Sequence, residues 1–228
     1  MLWQKNVVSE MIDVIKETQT EPMFKEYILA GGTALTLQIG HRTSTDIDLF
    51  TLEKMNSPEI IKYFQEKYKN CKLEVANDEF IRIFVNDVKV ELVYSKEKYI
   101  KEPVVQDGIK MFGLEDISAM KLSAVTGRTK ARDFIDVAYL LQNYSLKNMF
   151  EFYKEKYGQI SPLYIKRTLL VKSMTINDDE WLVDITMLKN DIEPKSIPLL
   201  LERAIAKYNE EVGVGISGNY NSVSGTKN

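Results

Sequence analysis

Apolar–polar alternation of period two, the mark of strands, is confined to roughly the first half of this chain, and the three-and-four spacing of helices takes over from Leu114 onward. Strands gathered ahead of helices fit an α+β arrangement. The expectation is a core with a small mixed sheet over residues 1–112, a helical domain over 113–211 and a flexible tail over 212–228. That last stretch, rich in Gly, Ser and Asn, has too few apolar groups to offset the entropy of folding.

Within the first half the punctuation is specific. Residues 3–18 carry Val7, Val8, Met11, Ile12 and Ile15 on one helical stripe. EYILAGGTALTLQIG reads as a short strand, a tight turn at Gly31-Gly32 and a helix from Thr33 closing at Gly40. Asp46-Ile47-Asp48-Leu49-Phe50 then alternates as a strand does, so both aspartates project from one face. Ser57-Pro58 reads as N-cap and first residue of a helix running to about Asn70. LEVA, FIRIFV and VKVELVY are strand-like, the last two joined by Asn86-Asp87 as a hairpin turn, and VKVELVY carries Glu91 among apolar neighbours. Helices follow at 115–126, 132–143, 146–157, 163–173 and 197–211.

Composition removes several functions. The first twenty residues hold neither a signal-peptide apolar core nor a membrane span, so a cytoplasmic protein is expected. One cysteine, Cys71, and one histidine, His41, are too few for a zinc cluster or a Cys–His nucleophile pair, and no GxxxxGK[ST] is present. His41 reads as structural. A net charge of −3 argues against indiscriminate nucleic-acid binding, yet KLSAVTGRTKAR places Lys121, Arg128, Lys130 and Arg132 in a run without an acid. Those cations are either a local basic groove or a solvated connection. Phe150, Phe152, Tyr153 and Tyr157 at helical spacing read as core.

The chemistry-bearing residues are carboxylates beside a glycine turn. Hard divalent cations prefer oxygen, and a Mg²⁺ site commonly uses one or two carboxylates together with a substrate's phosphates. Asp46 and Asp48 offer such a pair, and two like charges on one strand face repel unless something positive lies between them. A glycine turn opening a helix presents free N–H groups and a positive helix end to phosphate, so Gly31, Gly32 and Thr33 are candidates to grip it. Glu91 is either a third carboxylate, for metal or for taking a proton, or an edge-strand charge facing water.

GGTALTLQIGHRTSTDIDLF resembles the Gly-Ser to Asp-x-Asp signature of DNA-polymerase-β-type nucleotidyltransferases in the form found in the AbiEii toxin family, and AMKLSAVTGRTKARDFIDVAYLL is similar to that family's later motifs. The resemblance covers roughly residues 25–145. It implies that Gly32 and Thr33 grip a nucleoside triphosphate, that Asp46 and Asp48 bind metal with two Mg²⁺ ions in play, and that Lys121 contacts phosphates, with Arg128 beside it. Asp133 would be the last-motif aspartate, although Asp136, one turn on, fits as well. Glu91 stands where an aspartate is usual. The implied function is transfer of a nucleoside monophosphate to RNA, plausibly a tRNA 3′ end, by a toxin with a separate antitoxin. A small-molecule or protein acceptor, or a non-catalytic binding module, are the rival readings.

Overall fold

The computed structural model describes residues 2–4, 7, 9–159 and 161–213; the expected tail from residue 214 on lies outside them. One seven-stranded mixed sheet is built in the order β3-β4-β5-β2-β1-β7-β6. Its centre is β2 (Asp46–Thr51), which runs parallel to β5 (Val88–Tyr94) and antiparallel to the two-residue β1 (Ile28–Leu29). The alternation of β2 is realised: Ile47, Leu49 and Thr51 are buried, while Asp46 and Asp48 face the other way.

β4 (Phe80–Val85) joins β5 through Asn86 and Asp87, both with positive φ (49° and 66°), as a tight hairpin requires. β3 (Cys71–Ala76) forms the exposed edge. A second hairpin, β6 (Val104–Gln106) and β7 (Ile109–Met111), turns at Asp107-Gly108 with φ of 52° and 79°. The sequence reading passed over it, although Asp-Gly is a strong turn signal.

The first helix, α1 (Ser9–Thr20), starts later than the stripe suggested, because the residues before it pair elsewhere. The Trp3 N–H donates to Leu37 O (2.9 Å), and Val7 bridges Ser44. α2 (Gly31–Ile39) ends at Gly40, which adopts φ +63°. In α3 (Ser57–Lys67) the N-cap is Asn56 rather than Ser57, whose hydroxyl donates to Asn77 O (2.7 Å). α3 stops at Lys67 rather than near residue 70, because Tyr68 turns extended and its hydroxyl donates to Glu17 (2.7 Å).

Five further helices follow: α4 (Leu114–Gly127), α5 (Ala131–Leu140), α6 (Leu146–Tyr157), α7 (Pro162–Met174) and α8 (Ile197–Glu211). The hydrophobic core runs without a break from Ile15, Leu35 and Leu49 through Leu122 and Phe134 to Leu169 and Leu201. Phe150 and Tyr153 of α6 are buried in it, as the helical spacing suggested. No described helix is long and apolar enough to cross a membrane.

Between α7 and α8, residues 175–193 form a strap with no regular helix or strand, followed by a short 3-10 turn at Pro194–Ser196. Trp181 anchors the strap by burial, and its backbone returns to the loop between α2 and β2. The Thr43 N–H donates to Thr186 O and the Leu188 N–H to His41 O, each at 2.9 Å.

That same loop is clamped from the other side by Asp136 of α5, which has no exposed surface. Asp136 Oδ1 accepts from His41 Nε2 and Arg42 Nε, both at 2.7 Å, and Oδ2 accepts from Arg42 Nη2 (2.8 Å) and Lys121 Nζ (2.7 Å). Burial alone would favour the neutral acid, but Arg42, Lys121 and His41 override it and hold the carboxyl well below the usual carboxylate range. His41 is driven the opposite way: burial lowers its pKa and outweighs the Asp136 hydrogen bond that would raise it. Its Nδ1 is buried without a partner among the described residues, consistent with a neutral ring protonated on Nε2.

Asp136→Asn strands Arg42 as a buried cation and leaves Lys121 with Asp133 alone, so urea unfolding should report a loss of about 3–5 kcal/mol. The sole histidine supplies a second prediction. Folded His41 resists the proton that the unfolded chain accepts below about pH 6.5. Its contribution is therefore lost as pH falls from about 6.5 toward its depressed folded pKa, and is level below that. The stability difference between wild type and His41→Gln, followed from about pH 7.5 to 5, should shift against wild type across that window; a difference independent of pH would refute the neutral buried ring.

Candidate active site

The parallel register of β2 and β5 sets Asp46 opposite Lys89 and Asp48 opposite Glu91, so four ionisable side chains form a square on one sheet face. They line a polar cavity of about 220 Å³ together with Gly31 and Gly32 from the start of α2. Lys89 Nζ lies 3.0 Å from Asp46 Oδ2 and 3.5 Å from Glu91 Oε1. Arg132 Nη1 approaches Asp46 Oδ2 at 3.4 Å, and Arg82 Nε donates to Glu91 Oε1 at 2.7 Å. Glu91 is therefore no edge-strand charge: β5 is interior to the sheet, and the carboxylate is held inside the cavity.

Asp48 differs from its neighbours. Among the described residues no cation pairs with it, and burial, followed by the charges of Glu91 and Asp46, pushes its carboxyl up to about 6. This is a local excess of negative charge, which a divalent cation would relieve. The donor chemistry of Asp46 and Asp48 thus fits Mg²⁺. Among the described residues, however, no three acidic, histidine or cysteine side chains converge as a ready-made cage. Glu91, expected as a third metal ligand, is held instead by Arg82 and Lys89.

Gly31 is fixed by two constraints. Its φ of +68° is the left-handed region, and a Cβ there would lie 2.0 Å from Asp48 Oδ2. The turn and the aspartate therefore touch. Thr33, expected to hydrogen-bond phosphate, points the other way: it is fully buried, shares a hydrogen bond with Ser44 Oγ (2.9 Å) and donates to the Asp46 carbonyl. It fixes the start of β2 instead of facing the cavity.

The opposite wall comes from α4 and α5. Lys121 reaches the cavity edge but is 6% exposed and lies between Asp133 Oδ1 (3.0 Å) and Asp136 Oδ2 (2.7 Å), so the lysine expected on phosphate is locked in place by two carboxylates. Asp133 also accepts from Arg128 Nε at 2.7 Å, and against its burial Lys121 and Arg128 keep its carboxyl below the usual range. Neither Asp133 nor Asp136 faces the cavity; both act as supports. Arg128 stays half-exposed beside Lys130 and Arg132 at the rim.

Next to this cavity, sharing Arg42, Ser44, Lys130 and Arg132 with it, opens a larger one of about 500 Å³. Thr43 and Thr45 line one side, and Ile176, Val183 and Ile185 of the strap the other. Lys89, Arg82 and the strap were not identified as site components from sequence. Lys89 had one available signal, its period-two spacing from Glu91 on the same strand.

The family described as nucleotidyl transferase AbiEii toxin, type IV TA system, matches residues 15–208. An uncharacterised protein of Aquifex aeolicus (strain VF5) is 24% identical over 213 residues, covering 90% of this chain and 99% of that one. The crystal structure of JHP933 from Helicobacter pylori is similar with a TM-score of 0.56 and 19% identity, over 90% of this chain and 94% of that one, which speaks for the fold alone. Because the family match extends from the first helix into the last, this chain belongs to the AbiEii nucleotidyltransferase toxin family of type IV toxin–antitoxin systems.

Proposed function

We propose that the protein transfers a nucleoside monophosphate from a nucleoside triphosphate to the hydroxyl of an RNA 3′ end, in the manner of a tRNA-modifying toxin. The observation that carries this reading is the contact of the Gly31-Gly32 turn with Asp48, which brings a helix N-terminus suited to phosphate against carboxylates suited to Mg²⁺. The cation rim of Arg82, Arg128, Lys130 and Arg132 supports a polyanionic acceptor, although the chain as a whole has a net charge of −3. The adjoining cavity of about 500 Å³ has room for a nucleoside, with an apolar wall for the base and hydroxyls for polar edges.

In this reading Asp46 and Asp48 would hold Mg²⁺, which would offset the charge of the phosphates. The backbone N–H groups of Gly31 and Gly32 bind and orient the triphosphate tail. Glu91 Oε accepts the proton of the attacking acceptor hydroxyl, which bonds to the α-phosphorus as the bond to the departing pyrophosphate breaks. Arg128 and Arg132 stabilise charge on the transferred group, each held by a carboxylate already present. A cytoplasmic location and a separately encoded antitoxin follow from the same reading.

The test is incubation with each labelled nucleoside triphosphate, Mg²⁺ and bacterial tRNA. Wild type should label tRNA and the Asp46→Ala/Asp48→Ala protein should not; label in neither, or equal label in both, rejects the proposal. Asp48→Asn should also raise the thermal unfolding midpoint in metal-free buffer, because it removes a carboxylate crowded by two others. Gly31→Ala forces an L-residue into positive φ and its Cβ onto Asp48, so transfer should fall by about 100-fold, measured as initial rate at saturating nucleotide.

A further inference from the structure

The square of charged side chains on β2 and β5 has a property that the paired aspartates alone do not convey. Of the cations near these acids, Lys89 is within ion-pair distance of both Asp46 (3.0 Å) and Glu91 (3.5 Å). Arg132 reaches only Asp46, and Arg82 pairs with Glu91 and Glu74. Asp46, which divalent metal would require, is thus already occupied by a cation of the protein itself. We infer that Lys89 is an exchangeable counter-ion: in the free protein it neutralises Asp46 and Glu91, and when the nucleotide arrives with its divalent ion it moves to the polyphosphate and becomes a substrate-contacting residue.

Three observations carry this. Of the two other lysines lining the cavity, Lys121 cannot move to substrate, because it is buried between Asp133 and Asp136, and Lys130, exposed at the rim, is paired with neither Asp46 nor Glu91. Lys89 has no such lock: its side chain is a quarter exposed, it lines the same cavity as Gly31 and Gly32, and an ammonium on a four-carbon stem turns without rebuilding a planar fork. Finally, Asp46 and Glu91 each hold a second cation, Arg132 and Arg82, so release of Lys89 leaves neither acid bare. The polyphosphate takes the place of these carboxylates as the anionic partner of the lysine. Metal and nucleotide therefore assist each other's binding: metal alone must displace Lys89 from Asp46 without giving it a new partner, and nucleotide alone draws Lys89 away and leaves Asp46 and Glu91 with one cation each.

The inference rests on the nucleotidyl-transfer reading only in taking a triphosphate as ligand, and it can be tested with neither base nor acceptor. Two dissociation constants are measured for wild type and Lys89→Gln: Mn²⁺ alone, by paramagnetic resonance of the free ion, and tripolyphosphate in excess Mg²⁺, by calorimetry. Lys89→Gln should bind Mn²⁺ about tenfold more tightly and Mg-tripolyphosphate about tenfold more weakly, each a shift of about 1.4 kcal/mol. Damage to the site weakens both together, so only the opposite movement supports the exchange. Lys89→Met, which keeps most of the apolar stem, repeats the test should the glutamine variant unfold, and Lys89→Arg should move both constants back toward wild type. Unchanged Mn²⁺ affinity with Mg-tripolyphosphate still bound overturns the exchange and leaves nucleotidyl transfer standing. Failure of wild type to bind Mg-tripolyphosphate overturns both.

Discussion

Asp136 lies with no exposed surface against Arg42, His41 and Lys121, and those partners come from a loop between a helix and the central strand and from a separate helix. A carboxylate so placed would be intolerable alone, since desolvation of an unpaired ion costs several kcal/mol. Paired on both oxygens, it becomes the point at which the sheet, the loop and the helical half meet. Arg42 then packs against Gly32, where a Cβ would lie 2.6 Å from its guanidinium, so the glycine turn is positioned by the same interaction.

From that fixed frame the site acquires its electrostatic character. Strand pairing, rather than any single motif, decides which charges face each other: the parallel register puts a lysine across from one aspartate and a glutamate across from the other. One acid is thereby neutralised and its neighbour is left in excess. The division of labour among cations follows. Lys121 is committed to Asp133 and Asp136, whereas Lys89 and Arg132 touch Asp46 in the cavity.

The division into a sheet half and a helical half was legible in the sequence, because periodicities of 2 and 3.6 depend only on which face is buried. α6 and α8 fall where their spacing put them, and Asn86-Asp87 turns as its chemistry requires. The common face of Asp46 and Asp48 was equally readable, since alternation is local. Long-range register was not readable: nothing near Lys89 announces that it will lie opposite Asp46, forty-three residues earlier. Nor does the sequence show that Lys121, given to phosphate by the resemblance, pairs with both aspartates of the following helix, which look like alternatives in sequence and act together in space. Thr33 has the hydroxyl that phosphate would accept from, but its orientation is set by Ser44 and the Asp46 carbonyl. The strap was missed because it has no period at all; backbone hydrogen bonds and one buried tryptophan hold it.

The strap also orders events in time. The loop that leads into Asp46 and Asp48 receives its backbone partners from Thr186 and Leu188, some 140 residues downstream. During synthesis from the N-terminus, the sheet and its carboxylates emerge well before the segment that steadies them, and contacts between distant positions are the slow ones to form. A nascent chain that has not reached the strap carries the chemical groups of the cleft but neither the far wall of the larger cavity nor the restraint on its floor. For a protein of a toxin family, this ties completion of the cleft to synthesis of the strap, so copies that stop short of it lack an assembled site.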